Sequence, residues 1–348
     1  MKRRASSRKL RVLVLMHEDL VPPASIEGLN EKEVDVFRTE YDVVTMLRKM
    51  GHEVQPLGVA YDLGVLRSAL DSFNPHITFN VLEEFHGVPV YDHHVVGFLE
   101  LMKRRYTGCN PRGLMLAHDK ALSKKILAYH RVPVPDFIVF ELGQKARKPR
   151  RLSYPLMVKS LTEEGSVGIA QASVVNDDDG LRERVEFLQR QLRTDVIAEQ
   201  YVEGRELYVG LLGNHRVRRL PIWELLFTKM PDDVPHIATE KVKWDLAYRK
   251  KRGIKAAAAK DLPVGAEQRI DRLCKRAYRA LNLTGYARLD LRMTDDGRLY
   301  LLEANPNPQL SDGDEFAAAA RAAGMSYEKL LDEILKLGLG YRAQWQEA

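Results

Sequence analysis

The chain has 348 residues, of which 45% are hydrophobic and 29% charged, a composition ordinary for a globular protein of two or three domains. No apolar run approaches the ~20 residues that span a bilayer, which argues against a membrane protein. The two cysteines, Cys109 and Cys274, lack metal-ligand spacing, so we expect a reduced, cytoplasmic protein.

The net charge of +6 arises from basic residues dispersed among acidic ones. We therefore expect a solvated surface and no nucleic-acid partner, and a patch that attracts nucleotide phosphates stays open. The opening "MKRRASSRKLRVLVLM" lacks the long apolar core and cleavage site of a secretory signal. It predicts a first β-strand behind a short, disordered basic tail.

The N-terminal third alternates strands and helices. After the strand "KLRVLVLM" comes one amphipathic helix ended by Gly51, then a strand, the helix "VLRSALDSF" and another strand. The apolar face of the first helix would contain Val36, Tyr41, Val44 and Leu47. This β-α-β-α-β pattern predicts an open, mostly parallel sheet in an N-terminal α/β domain of residues 1–117.

Residues 118–202 predict a smaller central subdomain. It begins with the helix "HDKALSKKILAYH" and continues with the strand "YPLMVKS", the loop "LTEEGSVG" and the strand "IAQASVV". A helix over Asp178–Arg193, capped by Asp178 or Asp179, then leads to the strand "DVIAEQYV".

Residues 203–348 predict a C-terminal subdomain. A hairpin turns at Gly213-Asn214, and the segment "TEKVKW" reads as a strand with Lys241 and Lys243 on one face and Trp244 on the other. The helix "QRIDRLCKRAYRALNL", a last hairpin and a terminal helix over residues 327–337 follow.

The last hairpin, "YARLDLRMTDDGRLYLLEAN", carries the main chemical signal. Asp296-Gly297 predicts a two-residue turn, which sets Asp290 opposite Glu303 and Arg288 opposite Asn305 on one face. The other face would bury four apolar side chains, those of Leu289, Leu291, Leu302 and Ala304.

Two carboxylates directly opposite each other repel unless a cation lies between them. Asp290, Glu303 and the amide of Asn305 are hard oxygen ligands, which favour Mg²⁺ or Mn²⁺. A solvated face on which Arg288 neutralises the acids remains the alternative.

The loop "LTEEGSVG" follows Lys159 at a strand end. Gly165, Ser166 and Gly168 allow backbone N–H groups to approach phosphate oxygens, although the segment is not a P-loop and an ordinary hairpin turn stays open. Glu206, in "EQYVEGRE", follows a strand and a tight turn, where an acid suits ribose hydroxyls.

The order of these motifs resembles the ATP-grasp superfamily and, more narrowly, the D-alanine–D-alanine ligase family. A helix lysine, a strand lysine with a glycine loop, "EQYVEGRE", a further lysine, "RLD" and "EAN" succeed one another between Thr78 and Leu337. The resemblance implies an α/β, ATP-grasp fold, in which an N-terminal open parallel-sheet domain precedes central and C-terminal α+β subdomains that clasp ATP.

The resemblance also implies roles for residues. Lys120 and Lys159 would hold ATP phosphates under the loop of Gly165, Ser166 and Gly168. The strand of Glu199, Gln200, Tyr201 and Val202 would meet adenine largely through its backbone, and Glu206 the ribose. Lys243 would contact the γ-phosphate, with Lys241 as the other candidate. Asp290, Glu303 and Asn305 would ligate two Mg²⁺ ions, and Arg288 would stabilise the charge that develops during acyl transfer.

Two stretches depart from the family. The glycine- and serine-rich motif that positions the first D-alanine is missing, and no spacing supports Glu18 or Glu27 as a substitute. Where the family receives the acceptor's carboxylate, Gln309 replaces a glycine, Asp314 a serine, and Glu315 follows. Two acids would repel a carboxylate there. Side chains that face solvent or cap a helix near Phe316 are the alternative interpretation.

These observations predict an ADP-forming carboxylate–amine ligase that uses ATP and Mg²⁺ through an acylphosphate. Its partners would be a small carboxylate and an amine that are amino-acid-like but not clearly D-alanine; a homodimer stays open. One alternative is a true D-alanine–D-alanine ligase with divergent substrate loops. Another is an ATP-grasp phosphotransferase or nucleotide-binding protein.

Overall fold

A computed structural model describes residues 9–163, 165–231 and 234–343. The predicted basic tail falls on residues 1–8 and lies outside the described residues. Within the described part of the chain, no helix is both long and apolar enough to cross a membrane. Cys109 and Cys274 are buried, free thiols.

The N-terminal elements form a three-stranded parallel sheet of order β2-β1-β3, which confirms the predicted alternation. Its elements are β1 (Arg11–Met16), α1 (Glu31–Asp35), α2 (Arg38–Lys49), β2 (Glu53–Gly58), α3 (Leu63–Ser72) and β3 (Ile77–Asn80).

The single helix predicted before Gly51 is two helices. Asn30 caps α1 in a capping box with Glu33, and the chain breaks before α2. Val36 lies at this break and is 62% exposed, so its predicted place on the apolar face is wrong, whereas Val44 and Leu47 are buried.

Three helices lead to a second, antiparallel sheet of order β4-β7-β5-β6. The elements are α4 (Asp92–Leu101), α5 (Pro111–His118), α6 (Lys120–Tyr129), β4 (Phe137–Phe140), β5 (Leu156–Ser160), β6 (Val174–Val175), α7 (Asp178–Leu192) and β7 (Val196–Gln200). Asp177, and not Asp178 or Asp179, caps α7. The predicted strand "IAQASVV" is reduced to a 3-10 turn and the short β6.

The third sheet is antiparallel, with order β11-β10-β8-β12-β13 and β9 paired to β8. The strands are β8 (Arg205–Leu212), β9 (Arg218–Arg219), β10 (Trp223–Phe227), β11 (Ile254–Ala258), β12 (Tyr286–Met293) and β13 (Leu299–Pro306). The helices are α8 (Glu240–Trp244), α9 (Leu246–Arg252), α10 (Ala266–Ala280), α11 (Glu315–Ala322) and α12 (Tyr327–Gly340).

The predicted strand "TEKVKW" is the helix α8. The side chain of Thr239 accepts a hydrogen bond from the backbone N–H of Val242 and caps this helix. The polar–apolar alternation of Lys241, Val242 and Lys243 is typical of a strand and led to the wrong prediction. Thr239, a residue type that favours helix N-caps, was the feature of the sequence that indicated a helix.

Each sheet falls within one predicted segment, and the central sheet packs its own core against α7 through Leu156, Val158, Leu181, Val185 and Leu188. A separate core is typical of a unit that can fold by itself. The boundaries near residues 117 and 202 stay predictions.

Candidate active site

The hairpin β12–β13 pairs Asp290 with Glu303 and Arg288 with Asn305, as predicted. The predicted two-residue turn is wrong. Thr294 and Arg298 close a three-residue loop in which Gly297 has a φ of 78°, and Met293 pairs with Leu299. A register shift after Asp290 compensates for the extra loop residue, so the opposition of the two carboxylates survives.

Leu302 stands at this register shift. It is not buried on the back of the sheet with Leu289, Leu291 and Ala304, as predicted, but is half-buried and lines a cavity. Its carbonyl accepts a hydrogen bond of 2.6 Å from Nζ of Lys124. The bulge therefore supplies an anchoring point next to Glu303.

Asp290 lies between two neighbours on the same face. Arg288 donates to both of its carboxylate oxygens, at 2.8 and 2.9 Å, and Nδ2 of Asn305 donates to Oδ2 at 3.1 Å. Burial and the nearby Glu303 raise the pKa of Asp290 to about 6, against the opposing effect of Arg288. Arg288 also lies 4.8 Å from the centre of the Tyr208 ring.

Glu303 has a different environment. Among the described residues its carboxylate makes no direct hydrogen bond or ion pair. Burial alone would raise its pKa, but the cations of Lys159, Lys120, Lys243 and Arg288 lower it well below the usual range. Glu303 is therefore an ionised carboxylate in a ring of cations, with its oxygens available to a ligand.

The oxygen atoms on the polar face of the hairpin fit a hard cation, although no three of their side chains are carboxylates. The described residues contain no cluster of three or more His, Cys, Asp or Glu side chains that suits a metal. The set here is two carboxylates, Asp290 and Glu303, plus the amide of Asn305, which would turn its oxygen inward to ligate. Mg²⁺ binds through one or two carboxylates and completes its shell with phosphate oxygens and water.

A buried triad supports the cation ring. Glu199 is 2% exposed and pairs with Nζ of Lys124 at 3.2 Å and of Lys159 at 3.3 Å. Burial lowers the pKa of Lys124 to about 8. For Lys159, Glu199 and Glu303 outweigh burial and raise the pKa. Nζ of Lys120 donates to the carbonyl of Glu163 at 2.6 Å.

The glycine loop lies against α8. The indole Nε1 of Trp244 donates to the carbonyl of Gly165 at 3.0 Å, and the backbone N–H of Gly168 donates to Glu240 at 3.1 Å. Gly165, Ser166 and Gly168 all have positive φ. The loop and the helix that carries Lys243 are therefore joined at two points.

Each carboxylate oxygen of Glu206 accepts a hydrogen bond from one protein group and keeps a further lone pair for a ligand. The hydroxyl of Tyr208 donates to one at 2.9 Å, and Arg292 donates to the other at 2.7 Å. Arg292 further binds the carbonyls of Gly204 and His236. Sequence reasoning missed Arg292, although its place two residues after Asp290 puts it on the same face of β12.

Two cavities meet at this cluster. The first lies between the second and third sheets and is partly open to solvent. Of the predicted site residues, its walls include Lys159, Ser166, Glu199, Gln200, Tyr201, Val202, Glu206, Lys243, Asp290 and Glu303. Lys120 and Gly165 line a small adjoining pocket that shares Ser166 and Glu303 with it.

The second cavity, also partly open to solvent, lies on the other side of Lys243 and Tyr208. Its walls include Arg288, Asn305, Gln309, Asp314 and Glu315. Gly168 and Lys241 lie outside the cavities; Lys241 is exposed, whereas Lys243 is half-buried and borders both of the larger ones.

The acids that follow the hairpin neither point wholly to solvent nor cap a helix by a side-chain bond. Asp314 is the N-cap residue of α11, which begins at Glu315, but its side chain makes no capping hydrogen bond. Burial raises its pKa. Glu315 lies 3.6 Å from Nη1 of Arg288. Glu18 and Glu27 line neither larger cavity, and Glu18 accepts a hydrogen bond from Tyr61 at 3.1 Å.

Solved structures share this architecture. A D-alanine–D-alanine ligase from Bacillus anthracis, solved with ATP, superposes with a TM-score of 0.73 at 25% identity, covering 95% of this chain and 97% of the other. A second structure of that ligase gives a TM-score of 0.74 over the same coverage. The three sheets and the cavity between the second and third define an ATP-grasp fold, as expected.

Sequence comparisons lead to the family. A model described as the D-ala D-ala ligase C-terminus matches residues 126–336. The D-alanine–D-alanine ligase of Desulforudis audaxviator (strain MP104C) is 32% identical over 313 residues, covering 89% of this chain and 95% of the relative. An uncharacterized protein, y4sG, of Sinorhizobium fredii is 30% identical and covers 84% of this chain and 85% of its own length. The chain belongs to the D-alanine–D-alanine ligase family of ATP-grasp ligases.

Proposed function

We propose that the protein is an ATP-dependent carboxylate–amine ligase that forms ADP, phosphate and an amide through an acylphosphate. The observation that carries the proposal is the position of Lys243 and of the Asp290–Glu303 pair at the junction of two cavities. One cavity lies between the second and third sheets, and the other opens beside Arg288. A phosphoryl group transferred from ATP in the first cavity would meet a substrate carboxylate held in the second cavity.

The nucleotide assignment rests on the first cavity and on the ATP complex of the similar Bacillus anthracis ligase. The backbone of residues 199–202 would meet adenine, and Glu206, fixed by Arg292 and Tyr208, would accept the ribose hydroxyls. Lys120 and Lys159 would neutralise the phosphates beneath the glycine loop, with Lys243 at the transferred group. Lys241 is a poor candidate for that contact because it lies outside the cavities.

Asp290, Glu303 and Asn305 would hold one or two Mg²⁺ ions, which neutralise and orient the phosphate oxygens when bound. Arg288 would stabilise the anionic oxygen that forms when the amine attacks, because Asp290 fixes its guanidinium from one side and Tyr208 from another. The loop, held by Trp244 and Glu240, would exclude water from the acylphosphate.

The acceptor is proposed to lack a carboxylate next to its amine. Asp314 and Glu315 line the second cavity close to Arg288. Their negative charges would repel a carboxylate on the acceptor. They suit an acceptor that binds as an ammonium ion, which would pass a proton to a nearby carboxylate before its nitrogen attacks.

The names of the relatives favour the alternative of a true D-alanine–D-alanine ligase. A screen of ADP release with purified protein, ATP, Mg²⁺ and pairs of acids and amines, D-alanine included, separates the two. The proposal expects ADP release that needs both an acid and an amine, with D-alanine alone a poor substrate. Rapid dialanine formation would favour the alternative, and ADP release with an acid alone would indicate a phosphotransferase.

A further inference from the structure

The second cavity extends far beyond the reacting groups. One row of directly paired residues crosses the third sheet from Glu303 through Asp290 and Tyr208 to Trp223. Neighbouring strands lie about 4.8 Å apart, so Trp223 on β10 is roughly 14 Å, and β11 roughly 19 Å, from β13. The cavity reaches Ala256 on β11. Two alanines, fully extended, span only about 7 Å.

The far half of the cavity is apolar. It is lined by Trp223 and Leu225 of β10, Ala256 of β11 and Val242 of α8. Leu225 pairs directly with Ala256, and both residues border the cavity, with Ala256 the less buried of the two. We call this half of the cavity, defined by these four residues, the trough.

Two cations stand at the end of the trough. Arg249 of α9 is half-buried, and Lys255 of β11 is exposed. Both line the cavity, and neither side chain makes a hydrogen bond or ion pair with any residue that the structure describes. An anionic group on a ligand would supply the missing partner.

The cavity therefore has an acidic end at Asp314 and Glu315, an apolar middle and a basic end at Arg249 and Lys255. Resting on the proposed ligase function, we infer that the amine acceptor is a long zwitterion. Its ammonium group lies at the acidic end, a body about the size of an aromatic ring fills the trough, and a distal anion reaches Arg249. A cavity built for two alanines needs neither the trough nor the unpaired cations.

The test is a binding measurement that needs no turnover. Isothermal titration, in the presence of Mg²⁺ and a non-hydrolysable ATP analogue, compares 4-(2-aminoethyl)benzoate with phenethylamine and D-alanine. We expect the benzoate to bind at least about tenfold more tightly than phenethylamine, because a charge-assisted pair with Arg249 contributes this much. Both aromatic amines should bind more tightly than D-alanine, because only they carry a ring that fills the trough.

Two variants locate the binding. Ala256→Phe fills the trough and should weaken both aromatic amines at least tenfold, whereas Ala247→Phe, on the exposed face of α9, should not. Arg249→Gln should remove only the advantage of the benzoate, and the neighbouring Lys250→Gln should leave it. The second variant keeps the test decisive if Ala256→Phe folds poorly.

Failure to bind either aromatic amine, or binding that Ala256→Phe and Arg249→Gln leave unchanged, would overturn the inference. The ligase proposal fails separately. The expected binding pattern without ADP release from any acid and amine pair would refute the ligase and keep the trough. ADP release from an acid and amine pair, with binding of the aromatic amines that Ala256→Phe and Arg249→Gln leave unchanged, would refute the trough and keep the ligase.

Discussion

The indole Nε1 of Trp244 donates to the carbonyl of Gly165 at 3.0 Å, so the helix that carries Lys243 holds the glycine loop directly. Trp244 is 57% exposed, and its position is set by this bond more than by burial. The same helix binds the loop again through Glu240 and the N–H of Gly168. The position of the glycine loop and the placement of Lys243 are therefore coupled.

Trp244→Phe keeps an aromatic ring but removes the donor. One hydrogen bond contributes about 1 kcal/mol, so we expect the KM for ATP to rise about fivefold. The fraction of ATP hydrolysed without amide formation should also rise, because a looser loop admits water to the acylphosphate. Steady-state kinetics with ADP and product measured together provide the readout. Leu246→Ala, exposed on α9, serves as control, and unchanged coupling would contradict this role of the loop.

Glu303→Gln keeps the size of the side chain and removes its charge. Because Glu303 is the ionised carboxylate in the ring of cations, we expect Mn²⁺ to bind the variant at least about tenfold more weakly. Electron paramagnetic resonance in the presence of an ATP analogue measures this affinity. Mg²⁺-dependent ATP turnover should fall about a hundredfold or more. Glu328→Gln, exposed on α12, is the control. Normal Mn²⁺ affinity in the Glu303 variant would show that Glu303 is not a metal ligand.

The hairpin illustrates what the sequence predicts well. Alternation put Arg288, Asp290, Glu303 and Asn305 on one face whatever the turn was, as long as the register at Asp290 held. The register at Asp290 was as predicted because a bulge at Leu302 offset the longer loop. No local sequence pattern predicts such a compensation. The burial of Leu302 was therefore predicted wrongly, while the pairing of the acids was predicted correctly.

Long-range burial was harder to predict. Lys124, four residues after Lys120, looks like a surface lysine, yet it is 1% exposed and binds Glu199 and the carbonyl of Leu302. Its role depends on three segments far apart in the chain, which helix periodicity cannot bring together. The motif order that resembles the family identified the fold, whereas the trough depends on α8 and α9 folding over β10 and β11.

Asp314 and Glu315 give a direct test of acceptor choice. Replacing Asp314 by Ser and Glu315 by Gln removes both negative charges beside Arg288 and restores the hydroxyl that the family resemblance implies there. We expect the KM for D-alanine as acceptor to fall at least about tenfold, since repulsion between nearby, partly desolvated charges costs more than about 1.4 kcal/mol. Asp312→Asn, whose side chain pairs with Arg321, is the control. An unchanged preference for D-alanine would mean that these acids do not select the acceptor.

Glu40 makes the stability of the fold depend on pH. It is 5% exposed on α2, and burial raises its pKa from 4.5 to about 7. Because the folded state holds the proton more tightly, its contribution to stability is complete below about pH 4.5. It is lost as the pH rises to about 7, and the loss amounts to about 3 kcal/mol.

Glu40→Gln should therefore raise the free energy of unfolding by up to about 3 kcal/mol at pH 8 and leave it nearly unchanged at pH 4.5. Urea unfolding at both pH values measures this, with the exposed Glu53→Gln on β2 as control. Equal effects of Glu40→Gln at the two pH values would contradict a buried, proton-binding carboxyl.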